Sequence, residues 1–161
     1  MASSAALTPK TTTSNPELEH VRALWDRTKN DSAIYQLLLP MVSIIDASKG
    51  RIQARLKLNF AHVNSRGTVH GAVSGAIVDW AGSMAIATHG FEKTGASVDI
   101  HISYLSTATI EDTLDIVAVA NRVGKSMAFT TVKISRVVDG NPGPVVVTGQ
   151  HTKFLQAAFG P

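Results

Sequence analysis

An aspartate set among apolar residues is the first feature of this sequence that calls for a chemical explanation. Asp79 stands between Ile77-Val78 and Trp80-Ala81. A carboxylate withdrawn from water is costly unless it is paired or has a chemical task. An exposed helix edge or a capping role would account for it on an ordinary helix. Here residues 72–88 form an uninterrupted run of small and apolar side chains, rich in alanine and too long for one strand, so they read as a buried central helix. His70-Gly71 opens that same helix. The first N–H groups of a helix lack intrahelical partners and lie at the positive end of its dipole. Glycine lets a ligand approach that backbone closely, so a carbonyl oxygen turning into an oxyanion could be held there. A helix cap followed by a packing glycine is the competing reading, and these residues alone leave both open.

Other chemistries find less support. With no cysteine in 161 residues, thiolate catalysis, disulfides and cysteine-ligated metals are excluded. The six histidines (20, 62, 70, 89, 101 and 151) are scattered without a His-Glu-x-x-His pair, so no metal is expected. Residues 90–95 have the glycine spacing of a phosphate loop, but Ala96 stands where lysine is required. No Gly-x-Ser-x-Gly elbow occurs. A net charge of +3, without a basic run, suits an anionic small molecule at least as well as a nucleic acid, and nucleic acid is not expected as a partner. No apolar run reaches the roughly 18 residues of a membrane helix.

The elements that must position these groups follow from periodicity. Residues 1–15, rich in Ser, Thr and Ala, read as a disordered tail, with an organelle-targeting segment as the lesser alternative. A single domain is expected over 16–161. Asn15-Pro16-Glu17 signals a helix start, and Leu18, Val21, Leu24 and Trp25 carry it to about Lys29. Residues 34–39 are apolar and close at Pro40. A hairpin over 41–60 follows, its second arm alternating Ile52, Ala54, Leu56, Leu58 and Phe60 with polar neighbours. On the central helix Val73, Ile77, Trp80 and Met84 share one face, and Gly71, Gly75, Asp79 and Ser83 another. Beyond it, Val98, Ile100, Ile102 and Tyr104 alternate with Ser97, Asp99, His101 and Ser103. Further strands are expected over 112–121, 125–138 and, after the turn 139–144, over 145–155. The fold class is α+β: an antiparallel sheet wrapped around one long helix, with exposed edges that favour oligomers.

The run Asn64-Ser65-Arg66-Gly67-Thr68-Val69-His70-Gly71-Ala72, then Asp79, then Gly95-Ala96-Ser97-Val98-Asp99, resembles the hotdog-fold acyl-CoA thioesterases of the phenylacetic-acid-pathway type. The similarity continues through Gly124-Lys125-Ser126-Met127-Ala128-Phe129-Thr130 and Gly149-Gln150-His151-Thr152-Lys153, and covers about 42–155. The resemblance implies hydrolysis of an acyl-CoA, a fatty acyl of medium to long chain being expected, without a cofactor, in a dimer or a dimer of dimers. It implies Asp79 as base or nucleophile, Ser97 as its partner in holding water, and the Gly71 N–H as oxyanion donor. His70 fixes the helix start behind that donor, and Asn64 orients the thioester or the water. It places CoA along Tyr104, Leu105 and Ser106 and along Arg122, Val123, Gly124, Lys125, Ser126 and Met127, with Lys153 as an addition. Two residues depart from the family pattern: Ala72 where a second glycine is usual, and Thr107 where proline is common. A non-hydrolytic protein that binds acyl-CoA or regulates a partner through its dimer surface, and an enoyl-CoA hydratase, are the rival readings. The hydratase lacks its Asp-x-x-x-x-His pair, because Val69 follows Asn64 at that spacing. The cytoplasm is the expected compartment, with the mitochondrion as alternative.

Overall fold

The computed structural model describes residues 15–155. Residues 1–14 of the expected tail therefore lie outside the described residues, as do the last residues of the expected domain. Asn15, expected in that tail, is among the described residues. Its side chain accepts from the Leu18 N–H, capping α1 (Pro16–Thr28), and donates to the Ala47 carbonyl, which ties that helix to the sheet. Val21, Leu24 and Trp25 are buried, as their spacing predicts. The apolar stretch before Pro40 forms a second, short helix, α2 (Ala33–Leu38), capped by Ser32 and without a buried residue. Its Ile34 and Leu37 face solvent.

Strands β1 (Ser43–Ser48) and β2 (Arg51–Lys57) form the expected hairpin, turning at Gly50 with φ of 79°. Alternation buries Ile52, Ala54 and Leu56. The strand stops before Phe60, contrary to the sequence pattern. Asn59 and His62 form a reciprocal capping box that bends the chain into a 3-10 turn, Phe60–His62, and Phe60 is left 84% exposed. Local side-chain hydrogen bonds here outcompete the ladder.

Helix α3 (Gly71–Ala87) is followed by β3 (Ala96–Tyr104), β4 (Thr113–Val123), β5 (Met127–Val138) and β6 (Asn141–Phe154). The last strand begins earlier than expected, because Asp139 and Gly140, both at positive φ, complete the turn alone and Pro142 pairs with Val137. One antiparallel sheet results, in the order β1-β2-β4-β5-β6-β3. Helix α3 packs on its inner face. Contact is closest at two glycines: a Cβ on Gly82 would fall 2.7 Å from Thr130 Oγ1, and one on Gly149 would fall 2.7 Å from Val78. Trp80 and Met84 are core residues, and Trp80 packs edge-on against Trp25 with ring centroids 5.2 Å apart. The helix is buried almost all round; Gly71, Ala72, Gly75, Ala76 and Asp79 form its one open strip. No described helix is long and apolar enough to cross a membrane.

Candidate active site

Asp79 sits on that open strip, its side chain 32% exposed, with donors from three other elements around it. Ser97 of β3 donates to Oδ1 over 3.0 Å, and Tyr35 of α2 donates its phenol O–H to Oδ2 over 3.1 Å. His151 of β6 is buried, with Nε2 2.9 Å from Ser97 Oγ and 3.5 Å from Asp79 Oδ1. Burial, and then the nearby Lys153 charge, hold the imidazole below its ordinary range against the opposing pull of Asp79 and Asp99. His151 is thus a neutral donor: Nε2–H to Ser97 Oγ, whose hydroxyl passes its own proton toward Asp79, leaves Nδ1 as an unprotonated buried acceptor.

Ser97 reaches this position through a bulge. Ile100 lies opposite His151, but Ser97 lies opposite Lys153 and Asp99 opposite Thr152, so Val98 is an extra residue in β3. One extra residue reverses which face the strand presents. Strict alternation would have put Ser97 on the outer face.

Lys153, expected beside CoA, points the other way. It is 5% exposed and donates to Ser83 Oγ over 2.8 Å; Ser83 in turn donates to the Asp79 carbonyl over 2.9 Å. Burial pulls its ammonium below the ordinary lysine range, with Asp79 opposing. Lys153 thereby forms the floor beneath Asp79 and not a surface contact.

At the other end of α3, His70 is the N-cap: its Nδ1 accepts from the Ala72 N–H over 3.0 Å. Among the described residues, no backbone group outside the helix accepts the Gly71 N–H. Tyr104 donates its O–H to the Gly71 carbonyl over 3.2 Å, and a Cβ on Gly71 would fall 3.2 Å from that phenol oxygen. Asn64 shapes the preceding turn, its Oδ1 accepting from the Arg66 and Thr68 N–H groups over 2.9 and 3.3 Å. The His70 N–H then donates to the carbonyl of buried His62.

The expected catalytic residues thus form two clusters in one chain: Asp79 with Ser97, and Gly71 with His70 and Asn64. Eight residues separate Asp79 from Gly71 on α3, roughly 12 Å along the axis at ~1.5 Å per residue. The expected CoA residues divide likewise. Tyr104 stands at Gly71, Leu105 is exposed beside it, and Ser106 donates to the Val145 carbonyl. Arg122 and Lys125 are exposed on the β4–β5 turn, which Gly124 closes by donating its N–H to the Met127 carbonyl. Val123 pairs with Ala128 and the Ser126 carbonyl accepts from the Leu155 N–H. Phe154 pairs with both Met127 and Ala96, which brings this turn to the Ser97 end of β3. A groove of about 580 Å³ on the outer sheet face, lined by His101, Ser103, Thr131, Lys133 and Gln150 among others, contains none of the expected catalytic residues.

Sequence reasoning missed Tyr35 and gave His151 no role. The row Gly149, His151, Lys153 on one strand face was the available signal for the second. Tyr35 lies ahead of the resembling segment and gave none.

Comparison with known proteins bears on what this geometry serves. Residues 66–142 match the family model described as Thioesterase superfamily. A protein of Schizosaccharomyces pombe named as an esterase is 31% identical over 144 residues, covering 89% of this chain and 87% of its own. Human acyl-coenzyme A thioesterase 13 is 30% identical over 121 residues, covering 75% of this chain and 84% of its own. The crystal structure of zebrafish thioesterase superfamily member 2 superposes with a TM-score of 0.73 at 29% identity, over 86% of this chain and 95% of that one. The chain belongs to the Thioesterase superfamily, with the α+β hotdog fold. It is a thioester hydrolase.

Proposed function

We propose that the substrate is an acyl-CoA carrying a medium- or long-chain fatty acyl group, that the enzyme is of the phenylacetic-acid-pathway type, and that two copies of the chain build each site. The observation that carries this reading is the Asp79 carboxylate on the open strip of α3, with a donor on each oxygen and the Gly71 N–H on the same strip but far from it. The naming of the human relative as an acyl-CoA thioesterase supports CoA as the leaving group. Exposed Arg122 and Lys125 near the Ser97 end of β3 suit its phosphates.

In this mechanism Asp79 takes a proton from a water that Ser97 helps to place, and the water oxygen attacks the thioester carbonyl. The carbonyl oxygen becomes an oxyanion and accepts from the Gly71 N–H of the second copy. Collapse breaks the carbon–sulfur bond, releasing CoA as thiolate and the fatty acid; the proton on Asp79 passes to solvent. Thiolate leaves readily, so neither metal nor cofactor is required. Donors on both Asp79 oxygens favour a positioned base over a nucleophile. The edge strand β3, with Val98 and Ile100 exposed, supplies free backbone groups and apolar surface for pairing with a second copy.

A series of acyl-CoA substrates from acetyl to palmitoyl, with an aryl-CoA beside them and thiol release as readout, tests the reading. Release that peaks at medium or long chains is expected. Tight binding without release would convert the assignment to an acyl-CoA binder.

A further inference from the structure

We propose that Tyr35 is a positioning residue for the catalytic carboxylate: its phenol O–H, 3.1 Å from Asp79 Oδ2, fixes the plane of the group that activates water. The inference rests on the reading of Asp79 as the base. Ser97 and His151 both lie at Oδ1, and rotation about the last bond of an aspartate is soft. A donor on one oxygen leaves the other free to swing. A second donor on Oδ2 closes that freedom and aims the remaining lone pairs along the open side of the helix.

Tyr35 is itself held from several directions. Its ring meets Trp25 edge-on with centroids 5.4 Å apart, and Trp25 meets Trp80 edge-on at 5.2 Å. Trp80 is the residue after Asp79 and is fully buried. A closed circuit therefore runs from the carboxylate through Tyr35, Trp25 and Trp80 back to Asp79. The backbone of α2 is pinned separately. His62 Nδ1 accepts from the Asn59 N–H, so its Nε2–H donates to the Leu38 carbonyl over 2.7 Å. Because the His62 carbonyl accepts from the His70 N–H, α2 leans on both clusters of the site. Helix α2 buries none of its residues completely; Tyr35 and Leu38 pack partly against the core and its C-cap Leu39 is buried, and the His62 contact adds to these. Burial first, and then the Asp79 charge and hydrogen bond, push the Tyr35 phenol well above its ordinary range. It therefore stays protonated, and a donor, across the neutral range in which turnover is assayed.

Tyr35→Phe keeps the ring against Trp25 and removes only the hydroxyl. The expected result is a fall in kcat of about tenfold, the scale of a hydrogen bond to a charged group, with KM within about twofold. In an Asp79→Asn background the same change should cost less than about twofold, because there is no longer a base to orient. The chain has only two tyrosines, so alkaline absorbance titration can follow Tyr35, with Tyr35→Phe as the blank. In Asp79→Asn its ionisation should begin at lower pH than in the parent enzyme, since the neighbouring charge is gone. Equal fold losses in both backgrounds, or a tyrosine titration unmoved by Asp79→Asn, would make Tyr35 a packing residue. An inactive Asp79→Asn beside a Tyr35→Phe of full kcat would overturn this inference while leaving the base assignment standing. An active Asp79→Asn would remove the base assignment itself.

Discussion

Ser97 and Lys153 stand opposite each other across the β3–β6 ladder, and both turn toward α3: Ser97 to the Asp79 carboxylate, Lys153 to Ser83 beneath it. The pair brackets Asp79 from its acid group and from its backbone. The two contacts predict unequal consequences. Asp79→Asn should lose about 10²- to 10⁴-fold in kcat with KM little changed, because the carboxylate is needed in the transition state. Ser97→Ala should lose about tenfold, since one donor to the carboxylate is removed and the base remains. Steady-state kinetics on both variants checks the order; a Ser97→Ala loss equal to that of Asp79→Asn would make Ser97 an equal partner in the chemistry.

Gly82 is one of the two points where α3 packs most tightly on the sheet. An added Cβ would meet Thr130 Oγ1 at 2.7 Å and His151 Nδ1 at 2.9 Å. Gly82→Ala should therefore destabilise the fold by about 1–3 kcal/mol, through overpacking, and lower the melting temperature. It should also lower kcat, because His151 must shift to make room. Melting curves and kcat on the one variant test both parts.

His151 makes stability depend on pH with a definite sign. Its folded-state proton affinity is held below the unfolded value by burial and by Lys153, so below about pH 6.5 the unfolded chain binds the proton first. Stability should be full above that pH and fall as the pH drops through the unfolded and then the folded value. Replacing His151 by Gln should flatten this part of the profile. Melting temperature measured between pH 8 and pH 5 for both chains is the check; parallel profiles would mean that another group governs acid sensitivity.

Several features of the candidate site were legible in the sequence. Asp79 in an apolar helix and Gly71 at its start were visible as residue types in context, and the buried helix followed from its length and alanine content. The parity of Ser97 was not legible from alternation, because the bulge at Val98 is a property of pairing with β6 and leaves no mark in β3 alone. Lys153 looked like a surface cation because lysine usually is one; only the helix packed above it, with Ser83 as acceptor, makes its burial tolerable. Phe60 fitted the strand pattern until the Asn59–His62 capping box ended the strand. Tyr35 was hidden most deeply. Its role is a contact across 44 residues of sequence, from a six-residue helix with no apolar period of its own.

Arg122 and Lys125 offer exposed charge on the β4–β5 turn, and this shapes what their loss should do. If CoA phosphates rest on the β4–β5 turn, KM should rise with ionic strength, as screened surface contacts do. Lys125→Ala should weaken inhibition by free CoA more than it slows turnover. A KM independent of salt would leave the nucleotide in solvent.

The proposed sharing of each site between two copies yields the most demanding prediction. Gly71 and Asp79 lie on the same open strip of α3, eight residues apart, so at roughly 12 Å one helix cannot place both on one carbonyl. An oxyanion donor and a base must each lie within hydrogen-bond reach of the reacting atoms. Two antiparallel helices related by a two-fold axis meet that requirement, each N-terminus lying beside the other's Asp79. The cluster of Asn64, His70 and Gly71 would then serve the Asp79, Ser97 and Tyr35 of the second copy. Asn64→Ala removes the acceptor that shapes the turn before the Gly71 N–H, and Asp79→Ala removes the base; each chain alone should be nearly inactive. Unfolded and refolded together in equal amounts, about half the dimers should be mixed, each with one intact site and one doubly damaged site. Roughly a quarter of the parent activity should return. Mixed dimers verified by native mass spectrometry but still inactive would place the whole site within one chain, and the mechanism would then need an oxyanion donor other than Gly71.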